Sequence, residues 1–307
     1  MFINRSLNYG QKHFHGLHFG VSVFGNDWRV KHSSVGGQMK RLRDQDLELV
    51  KPNQSILVFG NIYSHQEHSE RLKFYHPDRY REKNIDFYYW DNPHIPHLLY
   101  HSPSNPQGHK NWCRLVHNHT HLQTEHQVDS GAERINAQLT HLSQGVIRSW
   151  RDLVPYWRDC VVRSRRVLLC PSGAGTFHHH YHTSQGEWCK KWTTALTEMG
   201  YDVHVRVKPS RLSRRAPHRL CDVLLKENIG ITVSNHSTVA IESMLSGVPA
   251  VVTGTNPSGV LGTPMKEFVE TNQVRPVDTM ELIAWCELLL RWDYHKKELY
   301  DGSWKHS

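Results

Sequence analysis

Between residues 163 and 292 the hydrophobic pattern changes period repeatedly. Short runs of consecutive apolar residues predict buried parallel strands at 166–170, 203–207, 229–233 and 249–253. Between these runs, apolar positions recur at helical spacing, which predicts helices over 184–199, 218–227, 238–245 and 280–292. Ser184 stands just before the first of these helices, with Glu187 three residues on, which is the pattern of a capping box; Gly200 ends it. Strands alternating with helices imply βαβ units and a parallel sheet.

The first half is less regular. Apolar runs at 55–60 and 85–90 predict two strands, the first read as buried and parallel. Ile135, Leu139, Leu142, Val146 and Ile147 predict a helix over 133–150. Residues 92–111 hold four prolines among His, Ser and Asn and are expected to form a long loop. A chain of 307 residues suits two domains of about 150 residues each. The expected division is an N-terminal α/β domain over 1–160, a C-terminal α/β domain over 161–277, and a helical segment over 278–307 that packs back toward the first domain.

Composition narrows the classes. Ten Trp, twelve Tyr and nine Phe argue against a disordered chain. No run approaches the ~20 apolar residues that span a bilayer, so no membrane partner is expected. The first twenty residues lack an apolar core, so no signal peptide is expected and the protein is read as cytoplasmic. The six cysteines are scattered without a C-x-x-C pair and are read as free thiols. A formal charge of +8 favours a polyanionic partner.

The candidate chemistry lies at the ends of the predicted parallel strands. Ser234, Asn235, His236, Ser237 and Thr238 bracket a helix start, where unbonded amides and the helix dipole favour a phosphate; a capped βαβ helix with no ligand is the structural alternative. Glu242 follows one turn later and could accept hydrogen bonds from a ribose diol. Arg206 and Lys208 alternate on a strand end and so share one face. Ser172 and Gly173 sit in a Gly-rich loop that either approaches a phosphate closely or is a plain turn; it lacks the Gly-Lys-Ser/Thr ending of a P-loop. His179 belongs to a cluster over 178–182, read either as an acceptor or phosphate contact or as a solvated loop. His117, His119 and His121 would share a strand face, with a metal site as the minor reading. Arg211, Arg214 and Arg215, with Arg163, Arg165 and Arg166, form either a phosphate-tracking surface or a solvated face.

Glu242, Gly247 and Pro249 together resemble the donor-binding signature of GT-B glycosyltransferases. The stretch from Arg206 through Lys208 to Ser210 resembles the basic strand end that some of these enzymes set against donor phosphates. The closing residues 278–304, with Trp285 and Trp304, are similar to the C-termini of glycosyltransferases carried by bacteriophages. The resemblance covers about residues 163–304. It implies an α/β chain of two Rossmann-like domains facing a central cleft, with a nucleotide-sugar donor on the C-terminal domain, the acceptor on the N-terminal one, and no other cofactor. Many retaining members carry a second acidic residue eight positions before the Glu; here Ser234 stands there. An inverting enzyme needs a general base on the acceptor side. Asp91, directly after the strand over 85–90, is the first candidate and equally suits a turn before Asn92 and Pro93; His65 and Asp27 follow. The phage resemblance and the basic charge point to a modified base in double-stranded DNA as acceptor. A cell-envelope glycan is the alternative acceptor, and a non-catalytic nucleotide- or nucleic-acid-binding protein is the alternative class.

Overall fold

Two five-stranded sheets organise the described residues. The computed structural model describes residues 20–23, 56–59, 84, 87–96, 111–118, 131–154, 157–173, 177, 183–207, 220–295 and 297–298. In chain order the elements are β1 (Gly20–Val23), β2 (Ile56–Phe59), β3 (Phe87–Asp91), β4 (Trp112–His117) and α1 (Ala132–Leu142), then a 3-10 turn (Trp150–Leu153). There follow β5 (Arg166–Cys170), α2 (Gln185–Glu198), β6 (Asp202–Val205), α3 (Leu220–Lys226), β7 (Ile231–Ser234) and α4 (Val239–Leu245). The last elements are β8 (Ala250–Val252), β9 (Thr263–Pro264), α5 (Met265–Thr271), α6 (Thr279–Leu290) and β10 (Asp293–His295). The described protein is therefore α/β.

The chain divides into two compact units, with Leu290 to the C-terminus grouped with the first. In the first unit the strand order is β1-β2-β3-β4-β10. β2 and β3 run parallel, while β1/β2, β3/β4 and β4/β10 run antiparallel. A Rossmann-like parallel sheet was expected here, and the described strands form a mixed one instead. An apolar run reports burial and not strand direction. Arg114 of β4 lies in register with Asp91 on one side and Asp293 on the other.

Helix α1 ends at Leu142, eight residues before its predicted end. Gln144 and Gly145 both take left-handed φ values, 52° and 82°, which a helix cannot continue through. Val146 is consequently 70% exposed, although it fits the helical period. Ser149 and Asp152 then form a reciprocal capping box that opens the 3-10 turn at Trp150.

In the second unit all five strands are parallel, in the order β6-β5-β7-β8-β9. The unbroken apolar runs make sense in this setting, because both faces of the sheet are covered. On one face Val167, Leu169, Ile231, Val233 and Val251 pack with Trp188 and Leu196 of α2 and Phe268 of α5. On the other, Leu168 and Cys170 pack with Leu220 and Leu224 of α3. Each fully buried Leu, Val or Phe contributes about 1.5–3 kcal/mol. The capping box of Ser184 and Glu187 forms on α2 as the sequence predicts. Strand β6 ends at Val205, two residues early. The Arg206 amide still donates to the Leu169 carbonyl (2.9 Å), and Val207 is exposed.

Helix α4 is fastened to the sheet by a buried relay. Thr232 of β7 donates to the Ser243 hydroxyl (2.8 Å), which donates to the Val248 carbonyl (2.9 Å). Its C-terminal carbonyls are held from the other end. Arg158 donates to Ser246 (3.0 Å), Arg163 to Gly247 (3.1 Å) and the Cys160 thiol to Met244 (3.2 Å). Gly247 takes φ +71°, and a side chain there would run into Arg158. Among the described residues no helix is long and apolar enough to cross a membrane.

Candidate functional site

The strand order of the second unit reverses between β5 and β7. From β5 the chain crosses first to one neighbour, β6, and then back past β5 to β7 on its other side. In open parallel sheets, ligands bind outside the carboxyl ends of the strands at such a reversal. Here those ends are Cys170 and Ser234, which are in register.

The loops beyond these two strands are joined by side chains. The Ser172 amide donates to Asn235 Oδ1 (2.9 Å), and the Ser172 hydroxyl to the His236 carbonyl (2.9 Å). Gln185, at the start of α2, donates to the Ser172 carbonyl (2.6 Å). The Asn235 carbonyl accepts from the Ser237 amide (2.8 Å) and from Asn256 Nδ2 (3.4 Å). His236 Nδ1 lies 3.5 Å from the Thr255 hydroxyl. Trp188 Nε1 donates to the Thr253 hydroxyl (3.1 Å), which fixes α2 to the end of β8.

The helix start differs in detail from a simple capped end. Thr238 occupies the N-cap position without a side-chain cap bond. The Ser237 hydroxyl accepts from the Val239 amide instead (3.3 Å). Two amides near the helix start, those of Ser237 and Val239, are therefore already bonded within the turn. The Thr238 hydroxyl donates to Glu242 Oε1 at 3.5 Å.

Two polar side-chain atoms at the end of β7 have no hydrogen-bond partner among the described residues: Ser234 Oγ and Asn235 Nδ2. Both residues are buried, Ser234 at 1% exposure and Asn235 at 0%. An unsatisfied buried group of this kind costs about 1–3 kcal/mol. Ser234 lies two residues beyond Thr232, so by strand alternation both face α4. Its register partner Cys170 reports the local charge. Burial pushes the Cys170 thiol up to about 12, Arg206 draws it down and Glu242 pushes it further up. A cation from the end of β6 and a carboxylate from α4 thus both act at the β5 end.

The structure brings together Ser172, Ser234, Asn235, His236, Ser237, Thr238 and Glu242, with Arg206 on the adjoining strand end. Gly173 follows Ser172 and has open space where a side chain would extend. Lys208, Arg211, Arg214, Arg215, His179, His65 and Asp27 lie outside the described residues. Asp91 is in the first unit, as the last residue of β3. His117 ends β4; Asn118 turns left-handed (φ 55°), and His119 and His121 lie outside the described residues.

Two features were missed from sequence. Asn256 is buried and its Oδ1 accepts from both the amide and the hydroxyl of Ser258, beside the Asn235 carbonyl. An Asn two residues before a Ser, after an apolar strand, is an Asx-turn signal that could have found it. In the first unit Asp293 and His94 form a buried pair (3.1 Å) across 199 residues of chain, for which local sequence gives no signal. Compared with family models, curated proteins and solved structures, the chain matches none.

Proposed function

We propose that the protein is a glycosyltransferase that takes a sugar from a nucleotide-sugar donor held at the β5–β7 reversal. The observation that carries this reading is the joining of the Ser172 and Asn235–His236 loops at the reversal, with Arg206 and Glu242 acting on the same strand end. A departing nucleoside diphosphate gains negative charge. Arg206, with Lys208 two residues on, is the cation suited to stabilise it. Glu242 suits the ribose diol, as acidic residues do in other α/β nucleotide sites. The parallel sheet of the second unit agrees with the C-terminal half of a GT-B enzyme, and Arg206, Glu242, Gly247 and Pro249, which carry the resemblance to that family, lie in this unit. The GT-B reading rests on this unit; the described part of the first unit supplies a mixed sheet and the candidate base Asp91. The net charge of +8 supports an anionic acceptor, for which we favour a modified base in double-stranded DNA.

Thermal-shift measurement against a panel of nucleotide sugars and nucleoside diphosphates tests the donor claim. A ligand at a hundredfold excess over its Kd stabilises the protein by about 2.7 kcal/mol. A positive shift with the matching nucleotide sugar, lost in Glu242→Ala, is the expected result. A melting temperature unmoved by every compound rules the reading out. For the acceptor, affinity for duplex DNA should fall steeply and log-linearly with salt. A salt-independent acceptor interaction favours a neutral envelope glycan instead.

A further inference from the structure

The two edges of the parallel sheet in the second unit are built differently. At one edge, β9 is two residues long and ends on Pro264, which has no N–H to offer a further strand. At the other edge, β6 carries neither proline nor glycine. The amides of Asp202 and Arg206 donate inward, to the carbonyls of Arg165 (3.0 Å) and Leu169 (2.9 Å). By strand alternation the backbone of His204 also faces β5, and the N–H and C=O groups of Val203 and Val205 point away from the sheet. A row of outward backbone groups is a template for another strand. Aliphatic side chains lie along the same edge, with Val205 46% exposed and Val207 52%.

We propose that this edge pairs with the same edge of a second copy of the chain, joining two five-stranded sheets into one. The order of residues along the edge selects both the partner and its direction. A twofold axis at His204 sets two β6 strands antiparallel, with Asp202 opposite Arg206, Val203 opposite Val205 and Tyr201 opposite Val207. Opposite charges and β-branched pairs are both favourable across an antiparallel strand pair. The backbone agrees with this register. The outward N–H of each valine meets the outward carbonyl of the other valine in the second copy. Moving the axis one residue, to Val203 or Val205, sets Arg206 opposite Gly200 or His204 and loses the charge pairing. A parallel, in-register pairing sets Asp202 against Asp202. Within its own chain Asp202 accepts from Arg166 Nε (2.7 Å) and lies 3.1 Å from His204 Nε2, both through Oδ2. Oδ1 remains for Arg206 of the second copy. The contact is isologous and closes at two copies. It does not depend on the donor reading: a chain that binds no nucleotide pairs in the same way.

Sedimentation velocity of the full chain over a dilution series reads the association. Wild type is expected to form dimers that dissociate on dilution. Val205→Pro removes an outward N–H and none of the bonds to β5, so the sheet is kept while dimerisation weakens by about tenfold or more. Asp202→Arg and Arg206→Asp each set like charges opposite one another and should each weaken self-association several-fold. Mixed together, the two charge variants have opposite charges at both pairs and should associate about as tightly as wild type. A wild type that stays monomeric at every soluble concentration overturns the proposal. So does a Val205→Pro chain that dimerises as tightly as wild type, and so does a mixture that associates no more tightly than either charge variant alone. Should Val205→Pro fail to fold, as read by circular dichroism, the two charge variants and their mixture decide.

Discussion

Asp293 in the first unit and the Ser234–Asn235 pair in the second are buried alike and bonded differently. In the first, Asp293 is 0% exposed and both its oxygens are occupied: Oδ1 by the His94 amide (2.8 Å) and ring Nδ1 (3.1 Å), and Oδ2 by the Ile95 amide (3.0 Å). Arg134 adds a second anchor to the same strand. It donates to the carbonyls of Leu290, Arg291 and Asp293 and to Glu298, and it stacks on the Tyr294 ring at 4.4 Å. These bonds hold β10 to the turn after β3 and to α1, and they read as structure. At the end of β7 the burial is as deep, yet Ser234 Oγ and Asn235 Nδ2 have no partner among the described residues. Burial alone therefore does not say whether a polar group is bonded; Asp293 is saturated and the Ser234–Asn235 pair is not.

The largest expected effect breaks the satisfied cluster. Asp293→Ala leaves the buried amides of His94 and Ile95 without acceptors and removes the partner of the His94 ring. The loss should be about 3–5 kcal/mol, read from the shift in urea midpoint. An unchanged midpoint would mean that water replaces all three bonds and that the cluster holds nothing.

A pair of buried serines in the second unit sharpens the contrast. Ser243 is as buried as Ser234, but it both accepts from Thr232 and donates to Val248. Ser243→Ala strands both partners and should destabilise by about 1–3 kcal/mol. The chemically identical change at Ser234 should stabilise. Chemical denaturation of the two variants side by side checks the signs. Equal signs would show that the hydrogen-bond inventory does not govern stability here.

The second unit was legible in sequence because its physics is local. Consecutive apolar residues, a Ser184/Glu187 capping pair and glycines at helix ends each act within a few positions, and they located β5, α2, β7, α4 and β8 to within about two residues. The first unit depends on pairings that sequence does not encode locally. Asp293 meets His94 across 199 residues, and the direction of β4 against β3 is written in no single segment. The candidate site divides the same way. The side chains of Ser234, Asn235 and Glu242 were found by their place after a strand. That Ser234 and Asn235 would be left unpaired emerged only with the neighbouring loops in position, since satisfaction is a property of the surroundings.

The smallest expected effect concerns a group that is satisfied but exposed. Glu187 accepts from the Ser184 amide (2.9 Å) and the Thr183 hydroxyl (2.9 Å), while Ser184 Oγ accepts from the Glu187 amide (3.0 Å). The Ser184 amide above all, then the Thr183 and Ser184 hydroxyls, holds the Glu187 carboxyl below the usual glutamate range. A depressed carboxylate stabilises the fold above its unfolded value, about 4.3, and that stability is lost as pH falls through and below this point. Glu187→Gln keeps an acceptor oxygen in the box but removes the charge at the α2 N-terminus. The variant should melt slightly below wild type at pH 7, and the two curves should converge toward pH 3. A gap that stays constant across that range would mean that the Glu187 charge contributes nothing and that the box works through its neutral hydrogen bonds. Either result bounds what an exposed, fully bonded polar group contributes, against which the buried effects at Asp293, Ser243 and Ser234 are to be measured.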